Sequence, residues 1–243
     1  AAAAAAVPPP PPVRTKKDDQ AVYPPDSFRL NFPFAANETV EIWALYGDGN
    51  PSHAGVRTDT RNDRYAIEFI LPNFVSHGRF EPVYAVAAGT VVAAGWSSTF
   101  PESGLRVVVE HQLAGGTSAD VYYSVYSHLH RIYLDVGQSV TRVDDDTGVE
   151  RRRELGEMGG SGNYSLTFTT PRLRLAMYWL ASLNPAGDAV RGQALVPEPL
   201  GGAVGLRRYA QYVVPDDTCL GLGVSCLRGA CNPDTAQAAR DAA

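Results

Sequence analysis

The sequence predicts an all-β fold. Three observations point there: apolar residues alternate or run in strand-length segments, glycine-bearing turns separate those segments, and helical periodicity is weak. Phe28-Arg-Leu-Asn-Phe alternates and reads as a first strand. Val40-Glu-Ile-Trp-Ala-Leu-Tyr alternates again until Gly47-Asp-Gly-Asn-Pro breaks it. Tyr65-Ala-Ile-Glu-Phe-Ile-Leu reads as a mostly buried strand ended by Pro72. Val83–Ala88 and Thr90–Gly95 are strands on either side of Gly89. Leu105–His111 and Ala119–Ser127 follow as a hairpin, its turn in Gln112–Ser118 around Gly115-Gly116. A short terminal helix is read only at Thr235–Ala243.

The 243 residues suit one sizeable domain with extensions. Residues 1–26 form an Ala/Pro-rich arm, in which Ala1–Ala6 and Pro8–Pro12 favour extended polyproline II. Residues 27–190 form the β-rich domain, and residues 191–243 a C-terminal extension. All three cysteines, Cys219, Cys226 and Cys231, lie in that extension. A disulfide within this set is the expected use, with its pairing open, because a fourth ligand for a zinc knuckle is missing.

A net charge of −5 gives no electrostatic footprint for nucleic acid or an anionic membrane. No apolar run reaches the length of a transmembrane helix. No leader with a charged start and an apolar middle is read in the chain as given. Arg151, Arg152 and Arg153 follow Asp144, Asp145 and Asp146 and read as a solvated, self-compensating loop. Tyr122, Tyr123, Tyr126, Tyr133, Tyr178 and Trp179 are expected to pack the core and its edges, with a glycan or peptide platform as the alternative. His77 and His111 read as a loop and a strand-end residue.

The wording of the strands carries a resemblance. Pro82-Val-Tyr-Ala-Val-Ala-Ala-Gly-Thr-Val-Val-Ala-Ala-Gly-Trp, Gly104-Leu-Arg-Val-Val-Val-Glu-His, Tyr126-Ser-His-Leu, Val136-Gly-Gln-Ser-Val and Glu157-Met-Gly-Gly-Ser-Gly-Asn occur in that order. Over roughly residues 45–180 the chain resembles the lysostaphin/LytM-type zinc endopeptidases. The resemblance implies a LytM-like antiparallel β-sheet or sandwich core and an extracytoplasmic setting. In that family a histidine, an aspartate and the last histidine of a His-x-His pair hold one zinc. The other histidine of the pair and one from a Tyr-x-His-Leu segment assist a zinc-bound water.

Carried over residue by residue, the match is partial. His53 falls near the first ligand position, and Glu68 replaces the ligand aspartate. His128 matches the Tyr-x-His-Leu histidine, and His130 is placed in a turn by the family pattern. Thr169-Thr-Pro-Arg-Leu-Arg-Leu puts Arg172 and Arg174 where both histidines of the pair belong. A guanidinium stays protonated at physiological pH and is a poor zinc ligand. No metal or catalytic group is therefore expected, with His128 and Arg172 as vestigial catalytic positions and His53, Glu68 and Arg174 as vestigial metal positions. Alternation places Arg172 and Arg174 on one strand face. Either Arg174 pairs with Glu68 in the former metal space, or both arginines face solvent.

Three function classes follow. The first is a non-catalytic, LytM-like module that binds protein partners through its arm and tail in an extracytoplasmic assembly. The second binds peptidoglycan or activates an amidase. The third is an active zinc-dependent peptidoglycan endopeptidase with unusual ligands.

Overall fold

The computed structural model describes residues 21–25, 28–45, 65–72, 80–113, 121–143, 150–162, 171–184, 186–187 and 190–215. The strands are β1 (Thr39–Ala44), β2 (Ile67–Ile70), β3 (Pro82–Tyr84), β4 (Thr90–Trp96), β5 (Leu105–Gln112) and β6 (Val121–Ile132). They continue with β7 (Thr141–Val143), β8 (Glu150–Arg152), β9 (Glu154–Met158), β10 (Leu173–Leu183), β11 (Val190–Leu195) and β12 (Gln211–Val213). A 3₁₀ turn lies at Pro101–Ser103. The all-β expectation holds.

Ten strands form one antiparallel sheet whose main path is β12-β1-β2-β10-β6-β5-β4. β11 flanks β10, β9 links β6 to β3, and β7 with β8 forms a separate ribbon. Strand parity sorts the side chains onto two faces. Ile67 and Phe69 of β2, Tyr126 of β6, and Leu173, Leu175 and Met177 of β10 share the large core. Phe28, Leu30, Phe32 and Phe34 cover that face. Burying each such side chain contributes on the order of 2 kcal/mol. Opposite parity sends Ala66, Val125, Ala176 and Tyr178 to a second, smaller cluster. Glu68 and Arg174 share the parity of that second face.

Several expectations need correction. Phe28–Phe32 alternates in burial but forms no ladder; Leu30 makes an isolated bridge to Leu200, and Asn31 N–H donates to Val86 O at 2.7 Å. Residues 191–215, expected to start the C-terminal extension, contribute to the sheet and its core: β11 pairs with β10, β12 with β1, and Leu195, Leu200, Leu206 and Val214 enter the large core. His130 lies within β6 rather than in a turn, half-buried and stacked on Phe80 with ring centroids 3.9 Å apart.

The arginine run is not a solvated loop. Alternation along β8 turns Arg152 inward while Arg151 stays exposed. Arg152 donates from Nη1 to Phe32 O (2.7 Å) and Ala85 O (3.1 Å), and from Nη2 to Phe34 O (2.8 Å). It thereby fastens the covering segment to the sheet. Residues 1–20 of the N-terminal arm, His53, His77, Asp144–Asp146, all three cysteines and Thr235–Ala243 lie outside the described residues.

Most of the tyrosines pack as expected: Tyr122, Tyr123, Tyr126 and Tyr178 are buried. Tyr133 is exposed, its hydroxyl donating to Glu157. No helix among the described residues is long and apolar enough to cross a membrane.

Candidate functional site

The second face of the sheet carries the residues that the family pattern points to. Register aligns them in a row. Arg174 of β10 is the direct cross-strand neighbour of Glu68 in β2 and of Ser127 in β6. Arg106 of β5 faces the next stretch of β6, and Gly95 of β4 lies opposite Arg106. Glu68 is fully buried, and Arg106, Ser127 and Arg174 are each buried as well.

A buried carboxylate is costly unless a cation or donors meet it. The guanidinium of Arg172 does so: its Nη1 lies 3.7 Å from Glu68 Oε2. At that distance the contact is an ion pair rather than a direct hydrogen bond. Arg172 is anchored where it enters β10, its N–H donating to Gly159 O at 2.7 Å. Its guanidinium also lies 4.7 Å from the Trp43 ring centroid. Trp43 meets Tyr209 edge-on at 5.7 Å, and Arg208 caps Tyr209 at 4.5 Å. Carboxylate, guanidinium, two aromatic rings and a second guanidinium thus form one ladder from the groove to the surface.

Arg174 stands directly opposite Glu68 in register, and Arg172, two residues earlier on the same strand face, forms an ion pair with that carboxylate. A long arginine reaches a diagonal cross-strand neighbour as well as a direct one. The alternative in which both arginines face solvent does not hold, since Arg174 is 6% exposed.

His128 owes its position to a β-bulge. Between the pairs Val107↔Tyr126 and Leu105↔Leu129, β6 spends one residue more than β5. Tyr126 and Leu129 both face the large core, so Ser127 and His128 lie between them, with His128 in the left-handed region at φ 68. Its Nδ1 donates to Ser161 O at 3.0 Å, which places a proton on Nδ1. Ser161 is a hub: its Oγ accepts from Leu105 N–H (2.8 Å) and donates to Leu129 O (2.7 Å). A side chain at positive φ is strained relative to glycine. His128→Gly is therefore expected to be about 1 kcal/mol more stable than His128→Ala in urea unfolding.

A further cluster went unread because nothing in a strand-end histidine announces it. His111 is 1% exposed and holds its neutral form, burial pushing its pKa down to about 4 against a weaker opposing hydrogen bond from Ala88. Nδ1–H donates to Ala88 O at 2.7 Å, so Nε2 accepts from Ser124 Oγ at 2.7 Å. With its single hydrogen so used, Ser124 accepts from the Tyr126 hydroxyl 2.9 Å away. That hydroxyl in turn accepts from Val86 N–H at 2.7 Å. Burial raises the Tyr126 phenol to about 12. The chain of hydrogen bonds is closed at both ends on backbone, as a structural network in a core should be.

Among the described residues no three His, Cys, Asp or Glu side chains gather, and a guanidinium stands beside the Glu68 carboxylate. His53 lies outside the described residues.

The model of peptidase family M23 matches residues 74–185. A zinc-containing peptidase from Vibrio cholerae is similar at 20% identity and TM-score 0.42, over 74% of this chain and 41% of that one. Lysostaphin from Staphylococcus simulans is similar at 19% identity and TM-score 0.40, over 66% and 50%. So is a mutant catalytic domain of the prophage-encoded M23 protein EnpA from Enterococcus faecalis, at 19% identity and TM-score 0.38, over 70% and 95%. The chain thus spans half or less of the first two proteins. Among curated proteins no match was found.

Proposed function

We propose that this chain, in which residues 74–185 form a domain of peptidase family M23, is a non-catalytic member that serves as a protein-interaction component of an extracytoplasmic assembly. The Arg172–Glu68 ion pair carries this reading. A permanently protonated guanidinium beside the only carboxylate of the former ligand set repels a divalent cation and presents no lone pair to it. The charge that a metal would bring to Glu68 is supplied by the protein itself. With hydrolysis set aside, the surfaces that remain are the groove, the Trp43–Tyr209 ladder, and the arm and tail that flank the domain in sequence. In this reading the Ala/Pro-rich and Cys-bearing segments engage protein partners.

Elemental analysis of the purified full chain tests it, alongside clearing of a peptidoglycan suspension with added zinc. The expected result is zinc far below one per chain and no clearing. Stoichiometric zinc, together with clearing that Glu68→Ala abolishes, overturns the proposal.

A further inference from the structure

Trp43 and Tyr209 form the outer half of the ladder, and burial does not explain the second ring. Tyr209 is 55% exposed and sits in the left-handed region at φ 62. That backbone costs a bulky L-residue about 1–2 kcal/mol, and strained positions of this kind cluster at binding sites. The surrounding backbone is built to hold it. Tyr209 N–H donates to Ile42 O at 2.7 Å, Arg208 Nε to Trp43 O at 3.0 Å, and Arg207 N–H to the Tyr212 hydroxyl at 2.9 Å. The Glu198 carboxylate accepts from Gly205 N–H (2.8 Å) and Leu206 N–H (3.0 Å), which fixes the segment leading in.

Two rings 5.7 Å apart, with 74° between their planes, make the two walls of a notch. A guanidinium backs each wall: Arg172 behind Trp43 and Arg208 behind Tyr209. Rings packed in this way have little freedom left to lose on binding. Such a notch suits proline. The flat pyrrolidine ring lays its C–H groups on an aromatic face, and a run of prolines already holds polyproline II, so docking orders little that was free before.

The chain carries a matching segment in Pro8–Pro12, flanked by Val7 and Val13. Reach permits the contact. Ala21 and Tyr23 pack against Tyr65, Ala194 and Val196, and Val22 O accepts from Val196 N–H at 2.9 Å. Tyr65 stands three residues before Glu68, whose cross-strand partner is Ala44, the residue after Trp43. Three strand residues and one strand spacing put this anchor roughly 15 Å from the notch. The chain from Pro12 to Ala21 spans up to about 30 Å.

We propose that the Pro8–Pro12 segment docks in cis on the Trp43–Tyr209 notch, at the rim of the groove that Arg172 and Glu68 share. The tether holds the segment at an effective concentration of about a millimolar, so a contact too weak for separate molecules suffices within one chain. The docked arm is a reserve state: a partner that takes the notch frees the arm, and a partner that takes the arm bares the notch. The inference rests on the reading of the arm as a binding segment and is indifferent to metal in the groove.

Calorimetric titration with a synthetic peptide of residues 7–14 tests it. The peptide is added to the full chain and to the full chain carrying Pro8→Ser, Pro9→Ser, Pro10→Ser, Pro11→Ser and Pro12→Ser together. The arm-substituted chain is expected to bind the peptide, and the intact chain at least about tenfold more weakly, because its own arm competes. Adding Tyr209→Gly, which relieves the left-handed backbone, weakens binding to the arm-substituted chain by about tenfold or more. Tyr133→Ala, at an exposed tyrosine elsewhere, leaves it unchanged. Should Tyr209→Gly unfold, the comparison of intact and arm-substituted chains decides alone, since both keep the domain unaltered. Equal binding by those two chains, no binding by the second, or binding that a folded Tyr209→Gly variant retains overturns the inference. So does a concentration-dependent dimer that the arm substitution dissolves, which gives the arm to a second copy. Zinc measured on the same sample keeps the two readings apart: stoichiometric zinc fails the non-catalytic reading and leaves the docked arm standing, whereas an undocked arm on a zinc-free chain fails this inference only.

Discussion

Arg152→Met is expected to destabilise the protein by about 4 kcal/mol, read as a fall in the denaturant midpoint. Methionine keeps the apolar stem but removes the three donated hydrogen bonds to Phe32, Ala85 and Phe34. Each lost charged hydrogen bond is worth about 1.5–3 kcal/mol, and the abandoned carbonyls add the cost of burial without a partner. Losses within one network are not additive, so the sum stays below the total of its parts. Arg151→Met, one residue away on the exposed side of β8, should change stability by no more than about 0.5 kcal/mol. Equal midpoints for the two variants would show that the inward arginine holds nothing.

Acidification gives the second large effect. His111 protonates near 6.5 in the unfolded chain and only near 4 when folded, because burial disfavours the charged ring. Between those values the unfolded state binds more protons, so stability falls as pH falls. The contribution is fully present above about pH 6.5 and is lost progressively down to about pH 4. Its size is about 3 kcal/mol for this one ring. Urea unfolding of the parent and of His111→Gln across that range checks it: the parent should lose stability more steeply, the two curves converging at low pH. Parallel curves would mean that the network from Ala88 to Val86 takes up the proton without strain.

How much of this could be read from the chain depends on how local each feature is. The strands β1, β2, β4, β5 and β6 follow from alternation or apolar runs, and the structure places them there. The Phe28–Phe32 segment shows the limit of that signal. Alternation reports which side chains are buried, while a ladder also needs a neighbour along its length, and Leu30 finds only a single bridge. β8 and β12 are three residues each and polar or mixed, so no period is long enough to register. The inward turn of Arg152 depends on β8 being a strand at all, which no pattern in Glu150-Arg-Arg-Arg reveals.

The groove was legible in composition but not in pairing. Glu68, Arg172 and Arg174 could be named from motif positions, and their shared face from parity. That Arg172 reaches Glu68 along the diagonal depends on a register fixed by distant strands. Arg106 was readable in principle, since Arg106, Val108 and Glu110 share one parity along β5. Recognising it as a groove residue required knowing that β5 lies beside β6 and β6 beside β10.

The placement of β12 beside β1 also bears on how the chain reaches this state. β1 borders β2 on one side and β12 on the other, and the Thr39↔Val213 pair joins residues from opposite ends of the described domain. β2 in turn waits for β10, about a hundred residues downstream, as the pair Phe69↔Leu173 shows. Such long closures favour slow folding, on the millisecond-to-second scale or longer. During synthesis the first strand emerges well before either the strand that will cover its outer edge or the strand that will flank β2. Until residue 213 is available, β1 presents an open hydrogen-bonding edge to any neighbouring chain. Timing, as much as packing, therefore favours the nascent chain being shielded until β12 arrives.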